Sequence, residues 1–221
     1  MSLYANNTKI TSAHANNTSA IRVFANGVLV HHGSYEIKTF ASTGYMGSYV
    51  DTGVVATANT KWSLKAYFDN AMYNGFNLSG NAGGMLIGRA DNYVWGGYDD
   101  RYLANLGTYN DGIHTYTIAN GSQQVDGVVK DTKTWVASKT PKTITLGGLH
   151  TDCNSGGVVD NSIEKTGDIR IYRCQIWEGD VLIRDLYPAR RNGDSHAGMY
   201  DVCYDVFYDS TNSSGSMWVL G

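Results

Sequence analysis

The sequence predicts an all-β protein, and three observations carry that prediction. Tyrosine (16) and glycine (26) are abundant, whereas glutamate occurs only at Glu36, Glu164 and Glu178; a helical chain would be richer in Glu and poorer in Tyr, Thr, Val and Gly. Short runs of alternating apolar and polar residues recur at the spacing of sandwich strands, and no stretch demands a long helix. Turn formers punctuate those runs at Asn74-Gly75, Asn81-Ala82-Gly83-Gly84, Asp111-Gly112, Asn120-Gly121 and Ser155-Gly156-Gly157. A chain of 221 residues is long for one small domain, but β-sandwiches often reach this size undivided. It should bury about 70% of its unfolded surface, so its core needs neither disulfide nor metal.

The first 33 residues hold a ten-residue repeat: YANNTKITSA, HANNTSAIRV and FANGVLVHHG, counted from Tyr4. Tyr4, His14 and Phe24 each precede Ala-Asn-Asn or Ala-Asn-Gly, residues that tolerate the positive φ of tight turns. The spacing predicts a small β-meander or β-wrap. Three such units bury little apolar surface alone, so residues 1–42 are expected to pack on another chain as an oligomerisation or particle-attachment segment. The other reading is a hairpin lying on its own sandwich.

Residues 35–40 form the next expected strand, and Ser42-Thr43-Gly44 leads into a main domain spanning 43–221. Strands are expected near 48–55, 61–69, 73–79, 84–90, 92–97, 113–119, 122–129, 142–148, 167–177, 181–187, 197–201, 205–209 and 216–220. Asn120-Gly121 is the clearest two-residue hairpin signal among them.

Residues 167–191, GDIRIYRCQIWEGDVLIRDLYPARR, read as the central hairpin. Simple alternation puts Arg170, Tyr172, Cys174 and Ile176 on one face and Ile169, Ile171, Arg173, Gln175 and Trp177 on the other. Glu178-Gly179-Asp180 supplies a short loop, and Val181 to Tyr187 returns until Pro188, which cannot donate to a ladder. Apolar groups on both faces of both runs predict a hairpin covered on two sides.

The order R-I-Y-R-C-Q-I-W, E-G-D, V-L-I-R-D-L-Y-P, then G-M-Y-D at 198–201 and V-F-Y-D at 206–209, resembles the C-terminal half of laminin-G-like, concanavalin A-like jelly-roll domains. Such domains occur in tail, fibre and capsid-associated proteins of bacteriophages and prophages. The similarity continues upstream through Tyr49-Val50-Asp51-Thr52-Gly53, Val94-Trp95-Gly96-Gly97, Asp111-Gly112-Ile113-His114-Thr115-Tyr116 and Ile144-Thr145-Leu146-Gly147-Gly148, covering roughly Tyr45 to the C-terminus. It implies a concanavalin A-like jelly-roll β-sandwich and a virion protein. Residues 200–209, YDVCYDVFYD, alternate as one strand, whereas the resemblance implies two strands with a turn near Cys203 to Asp205.

Charge and motifs narrow the function classes. With 17 basic and 20 acidic residues and no basic stripe along the sequence, nucleic acid is not the expected partner. No charged-then-apolar leader opens the sequence and no apolar run approaches membrane-spanning length, so neither membrane insertion nor Sec-type export is expected. A virion part made in the host cytoplasm and released by lysis fits that pattern. Cys153, Cys174 and Cys203 cannot all pair, and buried free thiols are expected.

A retaining glycosidase needs two carboxyl groups about 5 Å apart. Asp201, Asp205 and Asp209 are spaced by four, which sets neighbours about 13 Å apart on an extended strand. No G-x-S-x-G elbow is present. The acidic stretches at Asp99-Asp100 and at Asp152, Asn154 and Asp160 lack the fixed spacing of a Ca²⁺ loop, and His150, Asp152 and Cys153 on one turn make a poor metal set. The expectation is therefore a non-enzymatic protein with no cofactor.

The best ligand-site candidate is Asp91 to Tyr109, DNYVWGGYDDRYLANLGTY. Trp95, Tyr98 and Tyr102 supply aromatic plates for the apolar face of a sugar ring, and Asp99, Asp100 and Arg101 supply polar groups for its hydroxyls. Within it the Tyr98–Tyr102 segment reads as a recognition loop, and Tyr93 and Trp95 as strand residues of the core or a sheet face. The expected partners are other virion subunits through the N-terminal segment, host-surface glycans, and further copies of the chain in a homo-oligomer.

Overall fold

The computed structural model describes residues 3–5, 8–12, 22–25, 28–31, 34–42, 49–68, 77–81, 85–90, 93–98, 102–108, 111–136, 143–150, 163–165, 169–193, 196–210 and 219–221. Among them there is no helix, and hence none long and apolar enough to cross a membrane.

The strands run in chain order as β1 (Leu3–Ala5), β2 (Thr8–Ser12), β3 (Arg22–Ala25), β4 (Val28–His31), β5 (Tyr35–Ile37), β6 (Ala41–Ser42), β7 (Val50–Val55) and β8 (Thr60–Phe68). They continue as β9 (Asn77–Asn81), β10 (Met85–Ala90), β11 (Tyr93–Tyr98), β12 (Tyr102–Thr108), β13 (His114–Ala119), β14 (Ser122–Val125), β15 (Val128–Asp131) and β16 (Thr143–Leu146). The last are β17 (Gly148–His150), β18 (Ile163–Lys165), β19 (Ile169–Glu178), β20 (Val181–Arg191), β21 (Ala197–Asp201), β22 (Val206–Asp209) and β23 (Val219–Leu220).

Among the described residues these strands make three sheets. β1 to β4 pair only with one another, as an antiparallel meander over the ten-residue repeat. One large sheet has the order β12-β11-β10-β9-β16-β7, with β17 and β18 attached beside β9; the other runs β15-β14-β13-β8-β19-β20-β21-β22. β5 and β6 join this second sheet by pairing with β20 and β19, and β23 pairs with β6. Pairing is antiparallel throughout except for β17 against β9.

The two large sheets share one core, which makes the body an all-β sandwich. Met85, Ile87 and Val94 from one sheet and Trp62, Leu64 and Ile118 from the other are fully buried in a single cluster. In β8 the alternation is complete: Trp62, Leu64, Ala66 and Phe68 point inward, while Lys61, Lys65 and Tyr67 lie on the outer face. At Gly96 of β11 the space is tightly filled, because a Cβ there would come within 2.6 Å of Leu106 in the same sheet and 2.7 Å of Ile118 in the other.

The central hairpin is present with three corrections. Its pairing with β8 shifts between Ile171 and Arg173, so one extra residue is absorbed as a bulge. The bulge resets the alternation: Ile169, Ile171, Cys174 and Ile176 all face the core, while Arg170, Tyr172, Gln175 and Trp177 are half-exposed. What reads in sequence as apolar residues on both faces of this strand is one inner face interrupted by a phase shift. The connection is a two-residue turn, Gly179-Asp180, closed by the Glu178–Val181 pair, with Gly179 at φ 58°.

Pro188 also does not end the returning strand. β20 runs on to Arg191, and its middle, residues 185–189, is buried. The last pairing with β19 is Leu186 to Cys174 and the first with β5 is Ala189 to Ile37. The proline, which has no N–H to give, thus sits at the handover between two neighbours, and its carbonyl accepts from the Lys38 backbone N–H at 2.9 Å.

Two other turns were read differently from the sequence. The 122–129 run divides into β14 and β15 around Asp126-Gly127, whose φ values of 50° and 79° are both positive, as a type I′ hairpin turn requires. The expected two-residue hairpin at Asn120-Gly121 is present, closed by the Ala119–Ser122 pair; only Gly121 has positive φ there, and the Asn120 side chain accepts from the Trp135 N–H at 2.9 Å. The 142–148 run breaks at Gly147 into β16 and β17.

Residues 200–209 are a hairpin, β21 and β22 joined by a turn over 202–205. Asp205 takes φ 61° where a glycine would be usual, and its carboxylate accepts from the Tyr200 hydroxyl at 2.6 Å. Cys174 is buried as expected, its thiol pushed up to about 12 by burial, whereas Cys203 is exposed at the hairpin turn. Cys153 lies outside the described residues.

Candidate functional site

The aromatic stretch forms an antiparallel unit at one edge of the smaller large sheet. β11 lies between β10 and β12, with Trp95 opposite Gly88 on one side and Asn105 on the other. Val94 and Gly96 point into the core, so Tyr93 and Trp95 project from the outer face: Tyr93 is exposed and Trp95 half-buried. Their rings meet edge to face at 6.2 Å between centroids, leaving an apolar surface with a phenol hydroxyl at its rim.

β12 is a strand where the sequence predicts none. Its inward residues Ala104 and Leu106 are buried, Asn105 and Thr108 are exposed, and a bulge opposite Val94 and Trp95 leaves Leu106 without a direct partner. Leu106 fills the space that the missing side chain of Gly96 leaves open. The Asn105 carboxamide oxygen accepts from the Gly107 N–H at 2.9 Å, tying down the strand's end.

Of the residues singled out in the sequence, Trp95 is on the outer face of β11, and Tyr98 and Tyr102 are paired opposite each other where β11 and β12 meet. Tyr98 and Tyr102 are thus strand ends rather than parts of one recognition loop. Asp99, Asp100 and Arg101, which join them, lie outside the described residues. So do Asp152, Asn154 and Asp160; of the His150, Asp152 and Cys153 trio only His150 is described, as the end of β17. Among the described residues no three His, Cys, Asp or Glu side chains converge as a metal set.

Beyond β12 lies a charged cluster that sequence reading missed. His114 stands between two carboxylates, Nδ1 at 2.6 Å from Asp126 and Nε2 at 3.1 Å from Asp111. The hydrogen bond to Asp126 and the two carboxylate charges hold the imidazole above its ordinary range, against the opposing pull of burial. Asp126 also accepts from the Thr115 N–H at 2.8 Å; although burial pushes its carboxyl up, that bond and His114 bring it below the usual value. The cluster pins the β12–β13 connection to the Asp126-Gly127 turn. The signal for it was the coincidence of Asp111-Gly112 and Asp126-Gly127 flanking the β13–β14 hairpin, which starts with His114.

The carboxylates at four-residue spacing are each engaged separately. Asp201 is fully buried; its Oδ1 accepts from the backbone N–H groups of Asp185 and Cys203, and its Oδ2 is 3.6 Å from Arg184. Burial raises its carboxyl despite those two donors. Asp205 holds Tyr200, and Asp209 meets Arg191 at 3.2 Å and His196 at 3.0 Å. Asp185 receives a two-pronged bond from Arg173, both contacts at 2.8 Å. These are the contacts of a braced hairpin.

No protein-family model, no curated protein and no solved structure matches this chain.

Proposed function

We propose that the chain is a non-enzymatic structural protein of a bacteriophage or prophage virion, a tail, fibre, baseplate or head-decoration component, whose concanavalin A-like jelly-roll domain adheres to glycans of the host surface. The observation that carries the adhesive reading is the Tyr93–Trp95 pair on the outer face of β11, next to the facing ends Tyr98 and Tyr102. Rings at a solvent-facing sheet surface stack on the apolar face of a pyranose, and the adjoining Asp99, Asp100 and Arg101 are suited to its hydroxyls. Affinity then comes from many copies on one particle rather than from a single strong site. The virion assignment is supported by the resemblance of residues 167–209 to phage jelly-roll domains, and genes for portal, capsid or tail proteins beside this one would agree with it.

The separate four-stranded sheet of β1 to β4 favours a second reading: a decoration protein that binds only virion subunits, in a homo-oligomer held through this segment. A glycan array distinguishes the two. Adhesion requires that the intact chain binds defined glycans and that a Tyr98→Ala/Tyr102→Ala variant loses the signal. Binding to capsid or tail subunits, with no glycan retained, would establish the structural reading instead.

A further inference from the structure

Two Asn-Gly pairs lie among the described residues, Asn120-Gly121 and Asn192-Gly193, and both sit at hairpin turns. Asparagine before glycine is prone to one spontaneous reaction, because no side chain on the following residue hinders attack of its amide nitrogen on the asparagine carboxamide. Both asparagines are exposed, so exposure does not separate the two pairs. Their glycines do.

Gly121 is half-buried, and its N–H donates to the Lys133 carbonyl at 2.9 Å. The Asn120 carboxamide oxygen accepts from the Trp135 N–H at 2.9 Å. The fully buried Gln123 fixes this strap, accepting from the Lys133 N–H at 2.6 Å and donating to the Lys133 carbonyl at 3.0 Å. Attacking and attacked groups are thus both held by residues 133–135, and reaction requires that both bonds break. Gly193 is exposed, takes φ 106°, and has nothing within 4 Å of where a Cβ would stand. Among the described residues no group accepts from its N–H. The turn that carries it joins β20 to β21 and is closed by the Arg191 N–H donating to the His196 carbonyl at 2.9 Å. The Asn192 N–H donates to the Ser34 carbonyl at 3.1 Å, a bond that does not involve the attacking amide of Gly193.

We propose that Asn192 is a site of spontaneous deamidation and that Asn120, of the same sequence type, is protected by the fold. The Gly193 nitrogen attacks Cγ of Asn192. The new N–Cγ bond closes a succinimide ring, the Cγ–Nδ2 bond breaks, and the side-chain nitrogen leaves as ammonia with the proton that Gly193 gives up. Water then adds to one of the two ring carbonyls: opening at Cγ yields aspartate, and opening at the main-chain carbonyl yields isoaspartate, whose backbone is longer by a methylene. Water is consumed, ammonia is released, and nothing is oxidised or reduced. Each event makes a chain of net charge −3 more negative. The change falls where Ser34 and Tyr35, which directly follow the ten-residue repeat, meet Asn192 and Arg191, so it alters the junction between the N-terminal segment and the sandwich.

The test incubates the full chain at mildly alkaline pH, folded and in urea, and follows both asparagines by peptide mapping with fragment-ion localisation. In the folded chain Asn192 gains the acid at least about tenfold faster than Asn120, the margin expected from the two hydrogen bonds that Asn120-Gly121 must break, and in urea the two rates converge. Isoaspartyl methyltransferase labels the product at position 192. Asn192→Gln, whose longer side chain closes a ring far more slowly, removes that product and leaves the Asn120 rate unchanged. Conversion of Asn120 as fast as Asn192 in the folded chain, a rate difference that persists in urea, an Asn192 that stays intact when folded, or aspartate at 192 without isoaspartate would each overturn the inference.

Discussion

The β19–β20 hairpin and the β11–β12 hairpin use the same devices in different surroundings. Each is antiparallel, each contains a bulge, and each alternates inward aliphatic residues with outward aromatic ones. β19 and β20 have paired neighbours on both outer sides, β8 and β6 on one, β21 and β5 on the other. β12, in contrast, ends its sheet among the described residues. In the central hairpin the bulge returns Cys174 and Ile176 to the core after Ile171; in the edge hairpin it sets Leu106 over a glycine and leaves Tyr93 and Trp95 facing solvent. Position within the sheet, more than local sequence, decides whether an aromatic strand residue is covered by neighbouring strands or faces solvent.

The sharpest way to break that contrast is to remove one tryptophan from each side of it. Trp62, fully buried with its indole N–H 3.3 Å from the Cys174 sulfur, anchors the strand beside the central hairpin. Trp62→Ala should cost about 3–5 kcal/mol, whereas Trp95→Ala at the half-exposed edge position should cost under about 1.5 kcal/mol by partial loss of burial. Chemical denaturation of both variants measures the difference, and equal losses would mean that the edge hairpin is as much a part of the core as the centre.

Gly96 is a position where the edge hairpin should be as intolerant as the middle of the sandwich. Gly96→Ala drives its new methyl against Leu106 and Ile118, side-chain ends that must move, at an expected cost of about 1–3 kcal/mol. Combination with Leu106→Ala should restore part of the loss, a coupling that a double-mutant cycle reads directly.

A smaller effect concerns pH at the turn beyond β12. Because His114 is raised in the folded protein, its contribution is complete below its ordinary value of 6.5 and is lost as pH climbs through the raised value. Asp126, which is lowered, contributes above its ordinary 3.8 and loses its effect as pH falls through the depressed value. The unfolding midpoint should therefore decline as pH rises above about 6.5 in the parent, and this decline should flatten in His114→Gln. A parent profile already flat over that range would show that the clamp does not contribute to stability.

These contrasts also explain what was legible in the sequence. Composition and alternation exposed the all-β class and most strands, because inward and outward residues obey a strict period of two in segments such as β8. They failed wherever the period is broken. At Ile171 to Arg173 the bulge mimics a strand that is apolar on both faces. Tyr102 to Thr108, with Asn105, Gly107 and two small or modest inward residues, resembles a loop until its partner β11 is known. Asp126-Gly127 was hidden inside an apparently continuous run, although Asp-Gly between valines is itself a turn signal. The candidate site was legible as residue types but not as geometry: Tyr93 and Trp95 could be assigned to a strand, yet which face was outward depended on the second sheet.

The bulge in β19 can also be viewed as a frame marker in the chain. Ile171 is opposite Ala66 and Arg173 opposite Lys65, so Tyr172 is the one residue of the strand that uses no position on β8. A chain lacking Tyr172 would keep every subsequent pairing from Arg173–Lys65 to Glu178–Thr60, with Cys174 and Ile176 still facing inward. Deletion of Gln175, three residues later, would turn Ile176 to the outer face. Tolerance to single-residue deletion along this strand is therefore concentrated at one point, the place where the strand already carries one residue more than its partner.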